Sequence, residues 1–148
     1  MRKALAALMA AVVLGPPAAH GESSSNSTYL GEYCWEAVSS QGEMMALKVG
    51  ITLMGGGGYM VIGTGTNVDA GANGNVGGSL KQVDTRLRGV LTAVYTHDNH
   101  VESDTMSLDL DPTTLDGQYK AVRTVVLPGV TTTESEHEAG ILRPVACQ

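Results

Sequence analysis

Along Met44–Met54 the apolar residues Leu47, Val49, Ile51 and Leu53 alternate with Lys48, Gly50, Thr52 and Met54. A period of two puts the four apolar side chains on one face of an extended strand, and no helical period fits this run as well. Four glycines follow, Gly55 to Gly58, and then a second β-branched stretch, Tyr59–Gly65. The pair reads as a β-hairpin. The device recurs along the chain. Tyr29–Val38 sets Tyr33, Trp35 and Ala37 on one face. Arg86–His97 turns Leu87, Leu91, Ala93 and Tyr95 inward and Arg86, Arg88, Thr92 and Thr96 outward. Val101–Asp111 opposes Met106, Leu108 and Leu110 to Ser103, Thr105, Ser107 and Asp109.

Shorter strands are predicted at Ser79–Asp84, Gln118–Leu127 and Gly140–Cys147. Ser39–Gly42, Asp98-Asn99, Asp116-Gly117 and Pro128-Gly129 supply the turns. Pro112 stops the strand before it, because proline cannot donate to a ladder. Two stretches read as longer loops: the small-residue run Thr66–Gly78 and the polar run Thr131–Glu138. Eight antiparallel strands joined mostly by short turns predict an all-β, up-and-down barrel, with a two-sheet sandwich as the alternative.

The two cysteines sharpen that choice. Cys34 and Cys147 stand at opposite ends of the predicted domain, and a pair allows only one intramolecular bridge. A bridge requires Cα atoms within about 7 Å, so the first and last strands must be neighbours. A closed sheet satisfies this and an open meander does not.

The N-terminus changes the compartment. Arg2 and Lys3, the apolar run Ala4–Leu14 and the small residues up to Gly21 have the form of a secretory signal peptide over residues 1–21. The apolar run is short of the roughly 20 residues a spanning helix needs. Residues 22–28, polar and low in complexity, are predicted to be a disordered leader, leaving 29–148 as one domain. The expected location is therefore outside the cytoplasm, periplasmic or extracellular. Without Arg2 and Lys3 the chain keeps 7 basic against 15 acidic residues, a net charge of −8. That balance repels phosphate backbones and makes nucleic acid a poor partner.

Candidate chemistry is sparse. No Gly-x-Ser-x-Gly elbow occurs, and Gly55–Gly58 lacks the Lys-Ser/Thr of a phosphate-binding loop. The Asn67–Gly74 run lacks the closing glutamate of a calcium loop. No cofactor motif is present. His97-Asp98-Asn99-His100, with Glu102 and Asp104 beyond it, offers metal-type ligands, but across a turn the rings are expected to diverge into solvent, and no metal centre is predicted. Arg86, Arg88, Arg123 and Arg143 are expected to pair with the surplus acids outside the barrel. An inward Arg123 would require a partner or an anionic ligand.

At Gly31-Glu32-Tyr33-Cys34-Trp35 the chain resembles the calycins, the lipocalin and avidin group of small ligand-binding barrels. Their first strand carries Gly-x-Trp, where this chain has Gly-x-x-x-Trp. The resemblance implies that Trp35 closes one barrel end under a basic residue from near the C-terminus, here Arg143. The expected function is binding of an apolar or weakly anionic small molecule, as barrel mouths often do, with Trp35, Tyr33, Tyr95, Arg123 and Arg143 as the residues facing it. Inward small residues such as Ala37, Gly89, Ala93 and Ala121 would leave room for one. The alternative is a structural or protein-interaction module without a pocket.

Overall fold

The computed structural model describes residues 26–129 and 134–148. The predicted signal peptide, the first part of the leader and residues 130–133 of the predicted polar loop lie outside them. Eight strands follow in order: β1 (Thr28–Ser39), β2 (Met44–Leu53), β3 (Gly58–Asn67), β4 (Ala72–Val83), β5 (Arg86–Thr96), β6 (Val101–Leu110), β7 (Gly117–Val126) and β8 (Glu134–Val145). Each pairs antiparallel with the next, and β1 pairs with β8, so the sheet closes into a barrel. The Cys34–Cys147 disulfide ties this seam, with a Cα–Cα distance of 5.2 Å.

Alternation decides which side chains fill the barrel. Leu47, Val49 and Ile51 of β2, Leu87, Leu91 and Tyr95 of β5, and Met106, Leu108 and Leu110 of β6 are buried in one cluster. One end is plugged. Leu115, in the β6–β7 turn, is fully buried with a left-handed backbone (φ 61°), and its carbonyl accepts the indole N–H of Trp35 at 3.0 Å. A bulky residue at positive φ is disfavoured, so burial of the side chain and the bond to Trp35 hold it there.

Two predicted loops are strand instead. Thr66–Gly78 contains the end of β3, a turn and the first half of β4. The turn is made by side chains: Asp69 Oδ2 accepts from the Met44 N–H at 2.7 Å and Asn67 Oδ1 from the Ala70 N–H at 3.1 Å. The glycines beyond it are strand positions under steric constraint. A Cβ at Gly74 would collide with the Val94 carbonyl, and one at Gly78 with the Val90 carbonyl. A sharply bent barrel strand needs glycine where a neighbouring backbone comes this close. The second correction is Glu134–Glu138, which begins β8 and pairs with β7.

Candidate functional site

The alternation that fills the barrel with leucines runs on toward the other end, the mouth, where the same inward positions carry charge. On β6 the series Leu110, Leu108, Met106 continues to Asp104 and Glu102, and both are buried. On β7 Tyr119 and Ala121 are followed by Arg123, whose register partner on β6 is Asp104. Glu43 enters from the β1–β2 turn and Glu138 from β8. Arg123 lies inside this ring, its side chain 15% exposed. Its Nη1 is 2.7 Å from Glu43 Oε2, its Nε 3.2 Å from Asp104 Oδ1 and 3.4 Å from Glu102 Oε1, and its Nη2 3.6 Å from Glu138 Oε2. The expectation that Arg123 pairs outside the barrel is thereby corrected. Arg86 and Arg88 do pair outside, both with Asp109.

One guanidinium among four carboxylates leaves the mouth acidic. Burial raises the Asp104 carboxyl to about 6 even with Arg123 beside it, since a shared cation does not offset complete desolvation. Burial also raises Glu138, whose Oε1 accepts the Tyr119 hydroxyl at 3.3 Å. Arg123 is lowered by burial but raised more by its bond to Glu43 and by Asp104 and Glu102, so it stays charged. Among the described residues three buried polar atoms here have no hydrogen-bond partner: the Tyr95 hydroxyl, Asp104 Oδ2 and His97 Nε2.

The histidines of the β5–β6 turn converge rather than diverge. The His97 N–H donates to the His100 carbonyl at 2.9 Å, which makes the two residues opposite neighbours across the hairpin, on one face. Their rings stack at 4.1 Å and 9°. Glu102, two residues beyond the turn on β6, is inside, with Oε2 at 3.8 Å from His97 Nε2.

The residues predicted to face a ligand do not form one site. Tyr33 and Trp35 stack together in β1, with ring centroids 6.5 Å apart, and Trp35 lies against the plugged end. Tyr95 and Arg123 belong to the mouth. Arg143 is exposed on the outer side of β8, opposite Glu36, and the indole of Trp35 is met by Leu115 instead. Space is equally divided. The cavity beside Arg123 and Glu138 measures about 10 Å³, room for roughly one water. A larger groove, about 710 Å³, lies between Val38, Lys120 and Ile141, and none of Arg123, Glu43, Glu102, Asp104 or Glu138 lines it.

Of the carboxylates around Arg123, the reading of the sequence singles out Glu102 and Asp104, as metal-type ligands beyond the turn, and not as partners of Arg123. Their signal was parity: Glu102 and Asp104 share the register of Met106, and Arg123 that of Ala121. Compared with known proteins, the chain matches no family model, no curated protein and no solved structure.

Proposed function

We propose that this chain is an exported protein-interaction module that meets its partner through the outside of the barrel and holds no ligand inside. The observation that carries this reading is the filled interior: among the described residues, leucines, Tyr95 and Trp35 occupy it, and the cavity beside Arg123 and Glu138 is about 10 Å³. The mouth is no better suited to an anionic ligand, since Arg123 already faces four carboxylates.

The exterior supplies a matching surface. Two cross-strand rows run over β3 to β8: Thr64, Asn75, Val94, Ser103, Thr124 and Ser135, and beside it Ile62, Gly77, Thr92, Thr105, Val122 and His137. Neither row contains Asp, Glu, Lys or Arg. Six strands span about 24 Å at the usual spacing. On a chain of net charge −8 after loss of the signal peptide, a partner on this band desolvates no Asp, Glu, Lys or Arg of its rows, and interface cores are depleted of charge. Export is supported by the Cys34–Cys147 bridge, which suits an oxidising compartment.

Self-association through this band is the simplest form to test. Sedimentation of the mature chain at rising concentration is expected to show a reversible dimer that Thr105→Lys with Val122→Lys abolishes. In parallel, a panel of apolar and amphipathic small molecules is expected to leave Trp35 fluorescence unquenched. Saturable one-site quenching would sink this reading in favour of a small-molecule carrier.

A further inference from the structure

We infer that His97, His100 and Glu102 form a binding site for a first-row divalent transition ion of the zinc class at the mouth of the barrel. One potential ligand atom from each of the three residues lies within 4.8 Å of the others. Around a tetrahedral ion with bonds of about 2.0–2.1 Å, ligand atoms stand about 3.3 Å apart, so small side-chain rotations close the set. Hairpin pairing makes the group possible. His97 follows Tyr95 by two residues and His100 precedes Glu102 by two, and Tyr95 and Glu102 are register partners with inward side chains. All three ligands therefore project from the same side of the β5–β6 hairpin.

The protonation pattern suits a metal. His100 Nδ1 is 2.8 Å from Asn99 Oδ1, and with that carbonyl oxygen accepting, Nδ1 carries the hydrogen and Nε2 keeps its lone pair. His97 Nε2 is buried and has no hydrogen-bond partner, a position that leaves a desolvated polar atom facing Glu102 at 3.8 Å. Glu102 is held from behind. Its Oε1 is 3.5 Å from Asn67 Nδ2 and 3.4 Å from Arg123 Nε, while Oε2 is the oxygen turned toward His97. Outer contacts of this kind orient a ligating carboxylate.

Charge favours the same occupant. Among the described residues Arg123 is the sole Lys or Arg facing Glu43, Glu102, Asp104 and Glu138, so an added divalent ion reduces a local negative excess. Two imidazoles and one carboxylate select zinc, cobalt, nickel or copper over calcium and magnesium, which prefer oxygen-only shells. Three protein ligands leave a fourth position for water.

The test uses the mature, disulfide-bonded chain, first stripped with a chelator. Calorimetric titration with Zn²⁺ is expected to give one equivalent, and Co²⁺ to give the visible absorption of a tetrahedral ion. His97→Ala with His100→Ala should weaken Zn²⁺ binding by about 100-fold or more, and Glu102→Gln by about 10-fold. His137→Ala, on the outer face, should leave it unchanged. Circular dichroism checks that each variant folds. If the double variant does not, His100→Ala alone, together with Zn²⁺-induced shifts of the His97 and His100 ring resonances in the native chain, decides the matter. Absence of stoichiometric uptake, or equal affinity after loss of both histidines, overturns the site. The outcome is independent of the interaction reading, because Thr105→Lys with Val122→Lys is expected to bind Zn²⁺ normally.

Discussion

Arg123 and the carboxylates around it place five charged groups together at the barrel mouth. Burying a charge is tolerated only where partners and hydrogen bonds compensate, and here one cation serves four anions. The burden falls on the carboxylates, and Glu138 shows it clearly, with burial raising its pKa above the usual 4.5. Because the folded state holds that proton more tightly than the unfolded chain, the stability linked to it is fully present below about pH 4.5 and is lost as pH rises through the folded pKa. Glu138→Gln imitates the protonated carboxyl. Urea unfolding with chelator present should therefore show the variant gaining stability relative to the native chain between pH 4 and pH 7. A difference that does not change with pH would remove burial as the cause.

Among the strands, β4 is the one whose composition conflicts most with its conformation. Five of its first seven residues are glycine or asparagine, Gly77 and Gly78 among them, a composition that strands ordinarily avoid. The barrel explains the choice position by position. A Cβ at Gly78 would run into the Val90 carbonyl and the Leu91 backbone, whereas one at Gly77 meets nothing within 4 Å. Gly78→Ala should thus cost about 1–3 kcal/mol through a forced backbone shift. Gly77→Ala should be neutral or stabilising by up to about 1 kcal/mol, because it only restricts the unfolded chain. Thermal or urea unfolding of the two variants separates a glycine required by packing from one that is merely tolerated. Equal effects would refute the assignment.

The whole barrel depends on one seam. β1 and β8 pair from Cys34↔Val145 to Ser39↔Gly140, and the disulfide joins residues 113 apart in the chain. Closing so long a loop removes entropy from the unfolded state, worth about 4–5 kcal/mol in the chain-entropy model. Cys34→Ser with Cys147→Ser is expected to lower stability by that amount in denaturant titration while the β-type circular dichroism persists, since the ladder remains. A loss below about 1 kcal/mol would mean that the ladder alone holds the seam.

At this scale the division between sequence and tertiary structure follows from range. Strand alternation, turn chemistry and the arithmetic of two cysteines are local or nearly so, and they were enough for an eight-strand closed barrel and the Cys34–Cys147 bridge. Alternation also encodes which way Glu102, Asp104 and Arg123 point, yet it cannot say that four elements bring their charges to one place. The turn histidines belong to the same case, because whether two rings meet depends on hairpin register rather than on spacing. Gly74 and Gly78 are the converse. Their sequence reads as loop, and only the approach of Val94 and Val90 from the next strand makes glycine the residue a strand requires there. How full the interior is was decided last and only in three dimensions, because it depends on the volumes of side chains contributed by every strand at once.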